Sequence, residues 1–404
     1  MNYKGKNFSI ENVSASSLAK KYGTPIYCYS FKKIKKNILN LKSTFKSFNP
    51  LLCFSVKSNA NVNILNEIKK LGCGADVVSM GELRIALKAG IKPTKIVFSG
   101  VGKTSNEIKY AIEKKILLIN AESKSEVIEI EKIAKSKKEV VNIGLRLNPD
   151  IDAKTLKQIS TGKKENKFGV TEKFFFEILN YINNSKFIRL KCLSVHIGSQ
   201  ILNYKPYEKM LKIIDRIIKK TSQKFEFIDL GGGMGIPYEN NIKKLNYKKY
   251  NSAIKKFLKN HKVKIIFEPG RSIIGDTSVL ISEIIYIKKT KNKNFIILDA
   301  GMNDFMRPSL YGSKHKIIPV TKKNVISNQL YEFVGPICES TDKFLTVKKF
   351  QKLNEKDLII ICDVGAYGMS LTSNYNVRPK PAEILIKGSK VKIIKKRQKI
   401  EDII

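Results

Sequence analysis

Lys57 closes the apolar run Leu51-Leu52-Cys53-Phe54-Ser55-Val56 and is followed by Ser58-Asn59. An amine carried into a cleft by a buried strand loses solvation, which lowers its pKa and suits it to condense with a carbonyl. In a lysine-rich chain an ordinary surface role competes with that reading. A second signal is Asp229-Leu230-Gly231-Gly232-Gly233-Met234-Gly235. Without Cβ atoms such a loop turns its N–H groups toward an oxyanion. It lacks the Lys-Ser/Thr of a nucleotide-binding loop, so it suits a small cofactor phosphate, unless it is simply a sharp turn. In Glu268-Pro269-Gly270-Arg271 the carboxylate could keep a heterocyclic nitrogen protonated while the guanidinium takes a substrate carboxylate. An ion pair across the turn is the alternative. His196, in His196-Ile197-Gly198-Ser199-Gln200, is either a satisfied core histidine or a ring that stacks on a planar group.

Further along, Arg307 and Tyr311 offer two carboxylate donors in one loop. Cys338-Glu339 sits in the polar stretch Gly335–Asp342, and Tyr367 lies between Gly365 and Gly368. These residues need elements to carry them. Strand-like runs occur at Leu51–Lys57, Ala75–Ser79, Lys95–Ser99, Ile116–Asn120, Val140–Leu147, Leu190–Ile197, Phe225–Leu230 and Val263–Glu268, with helical periodicity between them. Eight strands in β-then-α order predict an α/β protein built on a (β/α)8 TIM barrel. An open doubly wound sheet competes, but no GxGxxG follows the first strand. In a barrel the C-terminal strand ends form the active face. Read in order those ends carry Lys57, Asp76, Ser99-Gly100, Asn120, Arg146, His196, Gly231–Gly233 and Glu268.

After about residue 275 the runs Val279–Ile287, Asn294–Leu298, Leu330–Val334, Leu358–Cys362 and Ala382–Lys387 predict a mostly β domain. The expected boundaries are 28–275 for the barrel and 276–404 for the β domain, which the N-terminal segment 1–27 joins.

The 404 residues carry 76 Lys plus Arg against 35 Asp plus Glu, a net charge of +41. That balance would suit a polyanion binder. Only eight of the basic residues are Arg, however, and phosphate and base readout favours the Arg fork. A background preference for Lys, Ile and Asn accounts for the charge, so no nucleic-acid partner is expected. No apolar run is long enough for a membrane span or a signal peptide. Six cysteines without paired spacing and three histidines predict no metal site, reduced thiols and a cytoplasmic protein.

Taken together, Phe54-Ser55-Val56-Lys57-Ser58-Asn59, Ile159-Ser160-Thr161-Gly162, Lys164-Glu165-Asn166-Lys167-Phe168-Gly169 and the strings around His196, Gly231, Glu268 and Cys338 resemble the fold-type III pyridoxal-phosphate decarboxylases. The resemblance runs from about Gly23 to Ile386 and is greatest to the branch that acts on meso-diaminopimelate. It implies pyridoxal 5'-phosphate held by Lys57, with Asp76 nearby, His196 stacked on its ring and Glu268 facing its nitrogen. Ser199, Gly231, Gly232, Gly233, Gly270, Arg271 and Tyr367 would form the phosphate and ring cradle. Arg271, Arg307 and Tyr311, with Glu339 and Tyr367, would bind the substrate. Cys338 and Glu339 would be inserted by a partner subunit, implying a homodimer with shared active sites. The implied reaction releases CO2 from the D-centre of meso-2,6-diaminopimelate to give L-lysine, the last step of lysine biosynthesis. Two positions depart from the pattern: Thr341, where glycine is usual, and Leu156, where histidine is frequent.

Overall fold

A computed structural model describes residues 1–153, 161–239 and 241–404; Leu156, Ile159 and Ser160 lie outside the described residues. The chain divides into two compact units, one of Ile38–Ile236 with Lys243–Ser272 and the other of Met1–Asn37, Pro237–Ile242 and Ile273–Ile404. Among the described residues no helix is long and apolar enough to cross a membrane.

The first unit is a closed parallel barrel of eight strands, β1 (Leu51–Ser55), β2 (Gly74–Val77), β3 (Ile96–Phe98), β4 (Leu118–Ala121), β5 (Val141–Arg146), β6 (Ile188–Ser194), β7 (Phe227–Asp229) and β8 (Lys264–Phe267). The last closes on the first through the register Ile266 to Leu51 and Phe267 to Leu52. Each strand overlaps one of the eight runs expected from the sequence, with ends shifted by up to three residues. The helices after β2, β3 and β4 begin with the same device. Ser79, Thr104 and Ser123 accept a hydrogen bond from the backbone N–H of Glu82, Glu107 and Glu126, three residues on. Those glutamates reach back to the backbone N–H of Thr104, the N-cap itself, and of Val78 and Glu122, one residue before theirs, so each helix start is clamped from both sides.

The barrel interior changes chemistry along its axis. Cys53, Val97, Leu118, Cys192, Phe227 and Ile266, from six different strands, form one buried apolar cluster. Side chains two apart on a strand share a face. Two residues further on, the same six strands present Ser55, Ser99, Asn120, Ser194, Asp229 and Glu268, all buried. A polar layer therefore sits directly on an apolar one, at the C-terminal end of the barrel.

The second unit is mostly β. Ile26–Ser30 pairs antiparallel with Ser278–Lys289 and parallel with Ala382–Lys387. Ser278–Lys289 pairs in turn with Asn294–Leu298 and Leu358–Cys362. Phe8, Ile10, Ile26, Cys28, Val279, Ile281, Ile360, Ile384 and their neighbours form its core.

Candidate active site

Lys57 lies on a single 3-10 turn, Val56–Ser58, directly beyond β1. Its Nζ is 3.1 Å from Asp76 Oδ2, and its side chain keeps 37% of its surface exposed while that of Asp76 keeps none. Ser55 Oγ–H donates to the same carboxylate oxygen at 2.7 Å. The amine is thus anchored at its head and reachable from the mouth of the barrel.

Opposite in chemistry is the pair Asp229 and Glu268. Ser99 Oγ–H donates to Glu268 Oε1 at 3.1 Å. Asp229 accepts from Asn120 Nδ2 at 3.0 Å and from the Gly231 N–H at 2.9 Å. Asn120 also donates toward Ser99 and Ser194, at 3.2 and 3.4 Å, so one amide ties the polar layer together. Burial pushes the Glu268 carboxyl well above the usual range, the negative charges of Asp229 and Asp76 push it further, and Lys57 opposes them. Asp229 is pushed up to about 6, chiefly by burial. Two buried carboxyls hydrogen-bonded to each other hold a proton between them unless a cation comes to Glu268.

The glycine loop and His196 form the next wall. Gly231 and Gly233 have φ of +63° and +80°, a region in which a Cβ is disfavoured. A Cβ on Gly232 would stand 2.0 Å from the Glu268 carbonyl oxygen, and one on Gly231 2.5 Å from His196 Nδ1. The Gly232 N–H donates to His196 Nδ1 at 3.1 Å. That nitrogen is therefore an acceptor, and the proton of the neutral ring sits on Nε2. Burial, then the cations Arg146 and Lys57, push the His196 pKa well below its ordinary value. The ring is uncharged at neutral pH. Arg271, on the short helix Arg271–Ile274, is buried and donates from Nη2 to Ser199 Oγ at 3.2 Å. Gly270 sits tight against Ser58, where a Cβ would be 3.0 Å from the side chain.

The barrel unit therefore brings together Lys57, Asp76, His196, Ser199, Gly231–Gly233, Glu268, Gly270 and Arg271 at one end of the sheet. Residues 31–275 match the family model for the pyridoxal-binding domain of pyridoxal-dependent decarboxylases. The chain is 44% identical over 385 residues to the diaminopimelate decarboxylase of Helicobacter pylori strain J99, covering 95% of each. It is 37% identical to that of Aquifex aeolicus, over all of this chain and 96% of the relative. The chain belongs to the diaminopimelate decarboxylase family. The crystal structure of the Helicobacter pylori enzyme complexed with L-lysine superposes with a TM-score of 0.92 at 44% identity, over 96% of this chain and 98% of that one.

Pyridoxal phosphate is the cofactor of the family's barrel domain, and the residues at this barrel end fit it. They supply an amine, an acidic neighbour for a ring nitrogen, an uncharged ring and a glycine loop into which no Cβ fits. Asp76 Oδ1 and Arg146 Nη2 are buried with no protein partner among the described residues, so polar atoms at this end have hydrogen-bonding capacity to spare.

Sequence reasoning named Arg146 but not the residue that holds it. Glu122, one position past β4, accepts from Arg146 Nη1 at 2.9 Å and from the Gly100 N–H at 3.0 Å. Its other oxygen accepts from the Gly169 N–H at 2.9 Å. One buried carboxylate ties the end of β5 to the loops that carry Gly100 and Gly169. The signal was a charged residue straight after a buried strand.

In the second unit, Arg307 and Tyr311 share one helical turn, Arg307–Tyr311. The Arg307 guanidinium is buried and lies 5.1 Å from the Tyr238 ring centroid and 6.0 Å from that of Tyr311. Ser309 Oγ–H donates to the Thr341 carbonyl at 2.6 Å, tying that turn to the Cys338 loop. Cys338 is an exposed free thiol. Its N–H donates to Asn376 Oδ1 at 3.3 Å, and Glu339 accepts from the Tyr375 hydroxyl at 2.6 Å. Asp342 closes the loop from inside by accepting from the N–H groups of Met302 and Ile337. Thr341 is not among the residues with left-handed backbone, so this loop does not need a glycine there. Tyr367 has φ of +57°, strained for a bulky side chain and held by tight packing of Gly365 and Gly368 on either side. Tyr238, Tyr375, Asn376 and His315 had no pattern in the sequence to mark them.

Proposed function

We propose that the protein decarboxylates meso-2,6-diaminopimelate at its D-centre, giving L-lysine and CO2. The observation that carries the substrate is Arg307, a buried guanidinium flanked by Tyr238 and Tyr311. A buried arginine wants an anion, and a substrate with a second, remote carboxylate provides one. The naming of the relatives supports the same reading.

In this reading Lys57 Nζ holds the cofactor, Glu268 keeps the proton on its ring nitrogen and His196 packs on its face. The glycine loop, with Ser199, Gly270, Arg271 and Tyr367, cradles phosphate and ring. When bound, the cofactor supplies the sink for the electron pair that the departing CO2 leaves behind. The protein's part is orientation. Arg271, Arg307 and Tyr311 hold the far carboxylate, and Glu339 and Tyr367 complete the substrate contacts. Fixing the far end sets the angle of the bond that breaks. Cys338 and Glu339 act in the site of a partner copy, so the working form is a homodimer, and its four buried free thiols suit the cytoplasm.

The test is direct. Purified protein given pyridoxal phosphate is expected to turn yellow and to release CO2 from meso-diaminopimelate far faster than from ornithine. Protein that stays colourless, or that prefers ornithine, would overturn the proposal.

A further inference from the structure

The β unit contains a buried histidine to which the chemistry above gives no task. His315 is 2% exposed. Its Nδ1 lies 2.9 Å from the Cys362 carbonyl oxygen, and its Nε2 lies 3.4 Å from Arg307 Nε. A carbonyl oxygen can only accept, and the Nε–H of arginine can only donate. Both contacts are satisfied by one arrangement, the neutral ring with its proton on Nδ1 and a lone pair on Nε2. The ring is held on two sides, edge-on to Phe305 at 4.7 Å and 87°, and tilted against Tyr238 at 4.7 Å and 60°. Tyr238 is also the ring beneath the Arg307 guanidinium, at 5.1 Å. His315, Tyr238 and Arg307 therefore form one packed group, anchored to the last residue of the strand Leu358–Cys362.

This arrangement restricts how Arg307 can meet an anion. A carboxylate pairs with guanidinium either side-on, through Nε and one terminal nitrogen, or end-on, through both terminal nitrogens. With Nε–H directed at His315, the side-on mode is closed. We infer that His315 is a positioning residue for substrate recognition: by accepting from Arg307 Nε it aims the guanidinium so that the substrate's remote carboxylate is bound through the Nη1–Nη2 edge. The inference rests on the reading that Arg307 takes that carboxylate, and it adds a residue on which the specificity depends without touching the substrate. Discrimination then falls on the carboxylate. Ligands that carry it feel the loss of His315, and ligands that lack it do not.

The experiment compares the cofactor-loaded wild type with His315→Leu and His315→Gln. Leucine fills the space without an acceptor, whereas the glutamine amide oxygen can take the Nε–H. His315→Leu is expected to raise KM for meso-diaminopimelate about 20-fold, the scale of one lost hydrogen bond to a charged group, with kcat changed less than about threefold. The Ki of L-lysine, which keeps the remote carboxylate, should rise by a similar factor, while the Ki of cadaverine, which lacks it, should not move. His315→Gln should restore KM to within about threefold of wild type. Independently of activity, 15N spectra of histidine-labelled protein should show His315 protonated on Nδ1 and an unprotonated, hydrogen-bonded Nε2. Unchanged KM in His315→Leu, equal losses for lysine and cadaverine, a glutamine variant as impaired as leucine, or a proton on Nε2 would each overturn the inference while leaving the decarboxylase reading intact. A wild type that does not turn over meso-diaminopimelate would sink that reading, and this inference with it.

Discussion

The Lys57 amine and the Asp76 carboxylate meet at 3.1 Å, and Ser55 donates to the same oxygen from the residue that ends β1. Strand, turn and acid thus fix a lysine that would otherwise sample many rotamers. Replacing Asp76 by Ala removes the anchor and leaves the Ser55 hydroxyl without this acceptor. Cofactor affinity should fall by roughly tenfold or more, the cost of losing a hydrogen bond to a charged group. Titration of the visible absorbance with pyridoxal phosphate measures it. An affinity equal to wild type would mean that Asp76 does not orient the amine.

Glu268 gives opposite signs for stability and activity. Its folded pKa is raised, chiefly by burial, whereas an unfolded glutamate titrates at about 4.3. A raised folded value favours the protonated form. Its contribution to stability is complete below the unfolded pKa and is lost as pH rises through the folded one. Asp229, pushed up to about 6, acts in the same direction over the window from about 4 to 6. Glutamine mimics the protonated acid, so Glu268→Gln without cofactor should melt higher than wild type at pH 8, with the difference shrinking toward pH 4. The loaded variant should lose about a thousandfold or more in kcat, because the amide is a poor partner for a ring cation. Thermal scans across pH and steady-state rates check the two halves separately. A variant less stable than wild type at pH 8 would contradict the burial argument.

Gly232 offers a cleaner steric test. An added Cβ would sit 2.0 Å from the Glu268 carbonyl oxygen, whereas one on Gly102 would meet nothing within 4 Å. Gly232→Ala must move the backbone of either the glycine loop or the end of β8. Since both flank the cofactor region, loading should drop with a Tm loss of several degrees. Gly102→Ala should stay within about 0.5 kcal/mol of wild type. Comparable behaviour of the two variants would show that the loop can give way.

The contrast between these residues explains what was readable in advance. Lys57, His196, Gly231–Gly233 and Glu268 stand at the ends of apolar runs, and the barrel places every strand end on one face, so order along the chain became position in space. The switch from Cys53 to Ser55, or from Phe227 to Asp229, follows from the two-residue strand period. His315, Tyr238 and Tyr375 obey no such period. Each lies in a loop or beside a short turn, and each has a partner from a segment distant in sequence, Cys362 for His315, Arg307 for Tyr238 and Glu339 for Tyr375, through packing that no local pattern encodes. Thr341 illustrates the limit in reverse. It breaks the expected string, yet the backbone there lies outside the left-handed region, so the departure puts no left-handed strain on the loop.

Glu122 shows how much a residue without a role in the chemistry can hold. Its carboxylate accepts from Arg146 and from the amides of Gly100 and Gly169, and both charged side chains are almost wholly buried, at 8% and 2% exposure. Removing one member of a buried pair leaves the other charge uncompensated, which costs about 3 to 5 kcal/mol. Glu122→Ala should therefore lose stability on that scale in urea unfolding. Glu122→Gln, which can still accept from one of the amides, should lose less. Replacing both residues, as Glu122→Leu with Arg146→Met, should recover part of the loss, because no buried charge remains. A double variant no more stable than Glu122→Ala would show that the cost lies in the two amides and not in the stranded arginine. A single variant as stable as wild type would show that water reaches Arg146 and that the clasp contributes nothing to folding.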